Sequence, residues 1–243
     1  MKHSLIVIPT YNEFENITLM IETVFSMSDD PHILIVDDSS PDGTANAVRK
    51  LQEKHQDKLF LLERKEKKGL GTAYIAGFKW GLEQSYNYFF QMDCDFSHNP
   101  NDLLRLYNHT VAHNLDLCIG SRYISGINVV NWPMSRVLLS YFASFYVRCL
   151  TGMNIKDPTA GYKLYKRTVL KKIPLDNVEF VGYAFQIEMK FRTWKKGFKI
   201  MELPIVFKDR ERGESKLNSS IIKEAVFGVL KMKIKSIFSS DYK

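Results

Sequence analysis

Short apolar runs alternate with segments of helical periodicity through the first half of the chain. Five apolar runs predict buried strands: 5–8, 33–36, 59–62, 88–92 and 115–119. Between them, four segments with apolar residues three and four positions apart predict amphipathic helices: 13–27, 44–55, 71–85 and 101–113. This alternation predicts an α/β fold in which a mainly parallel sheet is covered by helices on both faces.

The alternation stops after Ser121. An apolar and aromatic segment at 132–150 follows, interrupted by Arg136 and Arg148. Later segments predict further elements: a helix at 182–196, a strand at 199–207 broken at Pro204, and an amphipathic, lysine-rich helix at 219–238. The sequence contains no internal repeat, low-complexity tract or linker, so we expect one domain with a distinct C-terminal subregion.

Composition and charge limit the classes of protein to which this chain can belong. Of the 243 residues, 45% are hydrophobic and 25% are charged, which is typical of a globular protein and excludes wholesale disorder. The net charge of +7 favours an anionic partner, namely nucleic acid, a phosphorylated metabolite or an acidic membrane surface, although excess surface lysine is the alternative. The longest stretch without a charged side chain, 123–135, has 13 residues. A helix that spans a membrane needs about 20, so we expect none.

Polar residues of interest lie where the predicted strands end. The first strand ends in PTYNE at 9–13, and the second in VDDSSPDGT at 36–44. In a parallel sheet these ends face the ligand crevice, where Asp37 and Asp38 can accept hydrogen bonds from a nucleobase or a ribose. Asp42 is better explained as a helix cap. No GxGxxG follows the first strand, which disfavours a Rossmann dehydrogenase.

Two aspartates follow the fourth predicted strand. Alternation along an extended chain puts Asp93, Asp95 and Ser97 on one side. Neighbouring carboxylates repel each other unless a cation lies between them, and oxygen ligands suit Mg²⁺ or Mn²⁺ with substrate phosphates completing the coordination. The spacing therefore favours a divalent metal site. Ser97 and His98 can also be explained as residues of the turn after the strand.

Basic residues lie close to the same strand ends. A run of them, Arg64, Lys65, Lys67 and Lys68, precedes a glycine-rich helix start at 69–71. Such glycines let an anion approach the backbone closely, although a solvated lysine loop is the alternative. Further cations occur after the fifth strand and later: Arg122, Arg136, Arg210, Arg212 and Lys216. Several arginines beside a metal site are typical of a clamp for a polyanion such as a diphosphate.

Together these segments resemble the inverting nucleotide-sugar glycosyltransferases of family 2, which have the glycosyltransferase-A fold. Within that family the chain is most similar to the polyprenyl-phosphate (dolichyl-phosphate) mannosyltransferase group. The resemblance spans residues 4–217 and rests on an ordered set of motifs: PTYNE (9–13), VDDSSPDGT (36–44), KKGLGTAY (67–74), MDCDFSHNP (92–100), GSRY (120–123), DPTAGYKLYKR (157–167), FQIE (185–188) and FKDRERGESK (207–216). It implies a catalytic domain over 1–218. The basic amphipathic helix at 219–243 is expected either to belong to that domain or to contact a membrane surface.

The resemblance also implies roles for individual residues. The residues expected to bind the nucleotide sugar are Pro9, Tyr11, Glu13, Val36, Asp37, Asp38, Lys68, Gly71, Asp93, Cys94 and Glu188. The expected ligands of Mg²⁺ or Mn²⁺ are Asp93, Asp95 and Ser97, the last of which replaces a Gln found in some relatives. The acceptor phosphate is expected at Ser121, Arg122 and Arg136, and the catalytic residues are expected to be Asp95, Arg122, Arg210 and Lys216. Glu188 is expected either to orient the sugar or to act as a base.

By this resemblance, the protein transfers mannose from GDP-mannose to a polyprenyl monophosphate with inversion, giving a β-linked product. The alternatives are glucose or N-acetylglucosamine from a UDP-sugar, and a soluble glycan hydroxyl as acceptor. Because a polyprenyl acceptor stays in the bilayer, we expect a cytoplasmic protein that binds peripherally to the cytoplasmic face of the membrane, through 132–150 and the C-terminal helix. No nucleic-acid partner is expected, since the cations lie among acidic pairs instead of forming one basic stripe.

Overall fold

The computed structural model describes residues 1–27, 30–210 and 219–242, with all of their side chains except those of residues 219–225 and 240. The strands are β1 (Ser4–Thr10), β2 (His32–Asp37), β3 (Leu59–Glu63), β4 (Tyr88–Gln91), β5 (Leu117–Ser121), β6 (Val129–Val130), β7 (Lys163–Lys166), β8 (Ile200–Pro204) and β9 (Phe207–Lys208). The helices are α1 (Phe14–Phe25), α2 (Thr44–Lys54), α3 (Leu70–Glu83), α4 (Asp102–His113), α5 (Met134–Thr151), α6 (Arg167–Lys172), α7 (Ala184–Lys195) and α8 (Ser219–Phe238).

Within the described residues, seven strands form one sheet in the order β3-β2-β1-β4-β7-β5-β8. All neighbouring pairs are parallel except those of β7, which runs antiparallel to both β4 and β5. The strands β6 and β9 form a separate parallel pair. The predicted α/β fold with a mainly parallel sheet is therefore confirmed.

Apolar side chains cover both faces of this sheet. Along β1, Leu5 and Val7 belong to the cluster that contains Tyr74 and Phe78 of α3, whereas Ile6 and Ile8 belong to a second cluster on the opposite face. Successive residues of a strand point to opposite faces, so a strand buried on both sides must be apolar throughout. This explains why β1 and β2 are continuous apolar runs in the sequence.

The strand β7 was not predicted from the sequence. Its four residues, Lys-Leu-Tyr-Lys, include two lysines, and so they lack the apolar run that marks the other strands. Lys163 is nevertheless fully buried, and its ammonium group donates a hydrogen bond to the side-chain oxygen of Gln186 on α7. Because β7 is antiparallel, the segment before it, 157–162, lies at the edge where the parallel strands β1, β2, β4 and β5 end.

The helix α8 packs against α5 and α7. Val229 and Met232 of α8, together with Tyr242 beyond it, belong to the same buried cluster as the core residues of α3 and α7. The opposite side of α8 exposes Phe227, Ile234 and other apolar residues. One face of the C-terminal helix is thus part of the core. The catalytic domain over 1–218, with a helix at 219–243 that either belongs to it or contacts a membrane surface, stays a prediction.

Candidate active site

A cavity of about 390 Å³ opens at the edge of the sheet where the parallel strands end. One part is lined by charged and hydroxyl side chains: Asp93, Asp95, Ser97, Arg122, Arg136 and Arg210. The other part is lined by apolar side chains of α5 and of the first half of α8: Leu139, Phe142, Ala143, Tyr146, Val147 and Val226. The cavity therefore joins a charged end to an apolar end.

The two aspartates after β4 are held by different partners. Asp93 accepts a hydrogen bond from the Tyr74 hydroxyl at 2.9 Å, and its backbone N–H donates to Nδ1 of His98 at 3.2 Å. Asp95 accepts the backbone N–H of Ser97 at 3.1 Å and forms an ion pair with Arg210 at 3.1 Å. Both carboxylates face the cavity, so the alternation expected from the sequence is present.

Cys94 lies between these aspartates, and its side chain points the other way. It is buried in the apolar cluster on the α1 and α4 side of the sheet. We therefore expect any contact between Cys94 and a donor to involve the backbone.

The oxygen atoms at this end of the cavity suit a hard divalent cation. Two carboxylates and the Ser97 hydroxyl line the same wall, and such oxygen donors are the ligands that Mg²⁺ and Mn²⁺ accept. The described part of the chain contains no group of three or more His, Cys, Asp or Glu side chains able to hold a metal. A cation bound here would thus take its remaining ligands from substrate phosphates and water.

His98 is a site residue that the sequence presented only as a turn residue. Its ring is buried, stacks on Tyr162 with centroids 4.8 Å apart, and meets the edge of Phe207. Burial lowers the pKa of His98, although Asp93 and Asp95 oppose the shift. The neutral ring can therefore accept the Asp93 N–H. This role depends on distant residues, so no local pattern indicates it.

Arg122 is buried at the end of β5 against a carboxylate that the sequence did not single out. Its Nε and Nη2 donate to the two oxygens of Asp157 at 2.8 and 2.7 Å, and Nη2 also donates to Thr159 at 2.6 Å. Burial alone raises the pKa of Asp157, but the charge and hydrogen bonds of Arg122 outweigh it and hold that pKa below its ordinary value. Asp157 belongs to the DPTAG motif, and that motif was the sequence feature that could have pointed to this carboxylate.

Ser121, expected with Arg122 at the acceptor phosphate, is fully buried. Its hydroxyl accepts the Tyr123 N–H at 3.3 Å, and its carbonyl accepts the Ile205 N–H. The structure thus gives Ser121 a supporting position under Arg122.

Arg136 and Arg210 are less buried than Arg122. Arg136 donates to Asp209 at 2.8 Å and lies over the Trp132 ring at 4.1 Å. Trp132 in turn packs edge-on against Phe207. Both arginines line the cavity, and Arg210 pairs there with Asp95. Lys216, which was expected beside them, lies outside the described residues.

The ends of β1 and β2 form a polar crevice next to Asp93. Asp37 is fully buried and accepts hydrogen bonds from Thr10 at 2.8 Å and from the Ser40 hydroxyl and N–H at 2.6 and 2.9 Å. The two carboxylate oxygens of Asp38 accept hydrogen bonds from Nε and Nη2 of Arg64, at 2.6 and 2.7 Å. Asp37 thus shapes the loop, and Asp38 is the carboxylate fixed beside Arg64.

Other expected donor-site residues surround this crevice. Pro9 lies near the end of β1 and Tyr11 follows the strand, and Lys67 lies over the Tyr11 ring at 4.0 Å. The Glu13 carboxylate accepts from Asn16 at 2.9 Å. The Val36 side chain is buried in the core, which leaves its backbone to face the crevice.

Two expected donor-site residues have other contacts. Lys68 is exposed and pairs with Glu66 at 2.8 Å. Gly71 donates its N–H to Val181, and a Cβ at this position would lie 2.7 Å from the Phe185 ring. The absent side chain of Gly71 therefore allows α3 to pack against the start of α7, which is a structural role.

The Glu188 carboxylate has its partners outside the cavity. It is fully buried on the far side of α7, where Oε2 accepts the N–H groups of Glu179 and Phe180 at 2.9 and 3.0 Å. Oε1 pairs with Arg192 at 2.8 Å. These bonds direct the carboxylate away from the cavity, where Gln186 of the same helix lies instead. The Glu188 carboxylate thus does not line the cavity in this arrangement, and its expected role toward the sugar stays a prediction.

Comparison with known proteins places this arrangement in a family. The model of glycosyl transferase family 2 matches residues 5–174. A polyprenol monophosphomannose synthase of Mycolicibacterium smegmatis is 46% identical over 228 residues, covering 94% of this chain and 86% of the relative. An undecaprenyl-phosphate mannosyltransferase of Micrococcus luteus is 44% identical over 225 residues, covering 93% and 91%.

Solved structures share the fold at low sequence identity. Glucosyl-3-phosphoglycerate synthase from Mycobacterium tuberculosis, in complex with Mn²⁺, UDP and phosphoglyceric acid, superposes with a TM-score of 0.70 at 14% identity, covering 96% of this chain and 77% of that one. A mannosyltransferase from Pyrobaculum calidifontis with GDP-mannose and Mn²⁺ gives 0.59 at 16% identity, covering 98% and 76%. The chain has the glycosyltransferase-A fold and belongs to glycosyl transferase family 2.

Proposed function

We propose that the protein transfers mannose from GDP-mannose to a polyprenyl monophosphate, with inversion, to give polyprenyl-phosphate-β-mannose. The observation that carries this proposal is the single cavity that joins Asp93, Asp95 and three arginines to the apolar side chains of α5 and α8. A polyprenyl phosphate has the same two parts, a charged head and an apolar tail. The names of two relatives, 44–46% identical over more than nine-tenths of the chain, support the same reaction.

The acceptor explains why the site can work without a protein base. A phosphate monoester has a second pKa of about 6, so it is largely a dianion at neutral pH and can attack without losing a proton to the enzyme. Asp93 and Asp95 are the only carboxylates among the described residues that line the cavity. With Glu188 buried elsewhere, nucleophilic attack by the ionised phosphate fits the residues present.

The arginines would offset the repulsion between two anionic substrates. We assign Arg122 and Arg136 to the acceptor phosphate, and Arg210 to the leaving diphosphate. A divalent cation, Mg²⁺ or Mn²⁺, held by Asp93 and Asp95 would supply positive charge beside that diphosphate. We place the nucleoside in the crevice bounded by Tyr11 and Asp38, next to Asp93. Lys216 keeps its proposed role on the resemblance alone.

We also propose that the protein acts peripherally at the cytoplasmic face of the membrane. The described residues include no helix long and apolar enough to cross a membrane. Two neighbouring helices instead expose an apolar surface, formed on α5 by Met134, Leu138, Leu139, Tyr141, Phe142 and Phe145 and on α8 by Val226, Phe227, Leu230, Ile234, Ile237 and Phe238. Leu139, Phe142 and Val226 belong both to this surface and to the cavity. A lipid tail held in the cavity could therefore continue directly into a bilayer that the apolar surface contacts.

A transfer assay tests the function. Purified protein is mixed with radiolabelled GDP-mannose, polyprenyl phosphate in detergent and Mg²⁺ or Mn²⁺. We expect a labelled lipid, its loss on addition of EDTA, and a loss of at least ~100-fold in the Asp95→Ala variant, because a bound cation contributes several kcal/mol to stabilising the developing charge.

Other outcomes would redirect the proposal. Transfer from UDP-glucose or UDP-N-acetylglucosamine, with none from GDP-mannose, would keep the acceptor and correct the donor. Absence of a lipid product with every donor would overturn the polyprenyl-phosphate acceptor and leave a soluble hydroxyl as the alternative.

A further inference from the structure

The GLGTAY motif ends in a tyrosine to which the proposed reaction gives no role. Tyr74 lies on α3, and its ring is fully buried against Phe185, which is parallel to it at a centroid distance of 6.0 Å, and against Phe78 on the same helix. Complete burial and these two ring contacts restrict the Tyr74 side chain. Its hydroxyl is therefore presented at a fixed point beneath the loop that follows β4.

That fixed hydroxyl meets the Asp93 carboxylate. The Tyr74 hydroxyl donates to Oδ1 of Asp93 at 2.9 Å. A phenol O–H donates and a carboxylate oxygen accepts, so the direction of this bond follows from the two groups. The bond is charge-assisted, which makes it stronger than a bond between neutral groups.

The Asp93 side chain needs such a constraint because it lies on a loop and is 34% exposed. A free aspartate samples several rotamers, and each of them points its oxygens differently. Tyr74 fixes the carboxyl group from below, and the backbone bond to His98 fixes the main chain of the same residue. The carboxylate keeps further lone pairs for a ligand in the cavity, since each oxygen can accept more than one bond.

We propose that Tyr74 is a positioning residue, which presets the Asp93 carboxylate for the divalent cation and thereby raises the affinity of the site for it. This rests on the proposed function, because it assumes that Asp93 holds a divalent cation. Partners that orient metal ligands in this way typically change metal affinity by about 10–100-fold when removed. Removal of the hydroxyl alone should therefore weaken cation binding about tenfold.

The chain offers a matched control in Tyr165 on β7. This tyrosine is also fully buried, belongs to the same apolar cluster, and packs edge-on against Phe78. Its hydroxyl makes no hydrogen bond within the described part of the chain. Tyr165→Phe therefore removes the same atom from the same core without touching Asp93, and it should leave cation binding unchanged.

Mn²⁺ binding in the presence of GDP is measured by the electron paramagnetic resonance signal of free Mn²⁺. Wild type, Tyr74→Phe, Tyr165→Phe and Asp93→Ala are compared, and circular dichroism checks that each is folded. We expect the dissociation constant for Mn²⁺ to rise about tenfold in Tyr74→Phe, to stay unchanged in Tyr165→Phe, and to rise most in Asp93→Ala. In the transfer assay, Tyr74→Phe should need about tenfold more Mn²⁺ for half-maximal activity but reach a near-normal maximum.

The outcomes separate this proposal from the one on which it rests. If wild type and Asp93→Ala bind Mn²⁺ equally, the proposed metal site is wrong. If Asp93→Ala loses binding while Tyr74→Phe matches Tyr165→Phe, the metal site stands and the positioning role is overturned. A Tyr74→Phe variant with lower maximal activity but an unshifted Mn²⁺ requirement would also overturn it, since that result indicates general damage to the core.

Discussion

The two sides of the cavity present ligand-facing groups of opposite charge, and different kinds of partner hold those groups in place. On the donor side, the ligand-facing carboxylate of Asp93 is held by a neutral hydroxyl, and the buried Asp37 by hydroxyls and a backbone N–H. On the acceptor side, the ligand-facing groups are arginines, and Arg122 and Arg136 are held by the carboxylates of Asp157 and Asp209.

This difference has a physical consequence. A neutral donor fixes a carboxylate without cancelling its charge, so Asp93 keeps its full attraction for a cation. A carboxylate behind an arginine fixes the guanidinium but cancels part of its charge, so we expect the proposed acceptor side to recognise phosphate mainly through prepositioned N–H donors. We therefore expect Asp93 to depend on its hydroxyl partner, and Arg122 on its complete buried ion pair with Asp157.

The largest effect should come from breaking the deepest acceptor-side pair. Asp157→Asn leaves the Arg122 guanidinium buried without a counter-charge, which typically costs about 3–5 kcal/mol. Urea unfolding of the variant should show a loss of that size in the free energy of unfolding. Asp176→Asn is the control, because its partner Lys79 and the aspartate itself are exposed, and the expected loss is below about 0.5 kcal/mol. Equal losses in the two variants would contradict the importance of the buried pair.

A smaller effect is expected at the apolar surface of α5. Leu138 and Phe145 are exposed there, at 48% and 57%, and they do not line the cavity. Changing both to Ser removes about 2 kcal/mol of apolar contact with a bilayer, so binding to phosphatidylcholine–phosphatidylglycerol vesicles should fall about 30-fold in a flotation assay. Transfer to a short-chain, water-soluble polyprenyl phosphate should be unchanged.

The matched control for that surface lies on α4. Leu104 and Val111 are apolar, comparably exposed and seven residues apart, as Leu138 and Phe145 are. Changing both to Ser should not alter vesicle binding. If the α4 variant loses as much binding as the α5 variant, attachment through α5 is wrong.

On the donor side, we predict an effect of about 1.4 kcal/mol on the free energy of GDP binding when the paired hydrogen bonds of Arg64 to Asp38 are disrupted. Arg64 donates to both oxygens of Asp38 and, through Nη1, to Thr72 at 2.8 Å. Lysine has one ammonium group and cannot make these bonds together, so Asp38 loses its fixed orientation. Arg64→Lys should weaken GDP binding about tenfold by calorimetry. Arg49→Lys, on an exposed arginine that contacts Asn46 and Glu63, should have no effect, and an equal loss there would contradict the role of the paired hydrogen bonds.

The two sides also differ in how far the sequence predicts them. The donor side follows from local patterns, since each β–α unit has an apolar run and an amphipathic helix, and its polar residues stand at the strand ends. The acceptor side depends on contacts between distant residues, such as Arg122 with Asp157 and Arg136 with Asp209. For Glu188, the sequence offers one local signal, because Arg192 lies four residues further along the same helix. No local pattern indicates the two backbone N–H groups that complete the contacts of its carboxylate.

The last prediction is a change of stability with pH on the acceptor side. The Lys190 ammonium of α7 is buried, and it donates to the carbonyls of Pro158 and Ala160 at 2.9 and 2.6 Å, which supports the DPTAG segment. Burial lowers the pKa of Lys190 to about 7, with Asp157 opposing the shift and Arg122 adding to it. Above that pH the unfolded chain binds more protons than the folded one. The free energy of unfolding should therefore gain up to ~1.4 kcal/mol per pH unit from this lysine until the unfolded lysine titrates near pH ~10.

Urea unfolding between about pH 7 and about pH 9 tests this slope. In Lys190→Met, the part of the pH slope that comes from this lysine should disappear, whatever the absolute stability of the variant. The reason is that a thioether does not titrate in this range. Lys195→Met is the control, since Lys195 lies on the same helix but is exposed, and its profile should match the wild type. A Lys190→Met profile as steep as the wild-type one would mean that the buried lysine stays charged. The charged Lys190 ammonium group would then support the DPTAG segment across this pH range, although the group is buried.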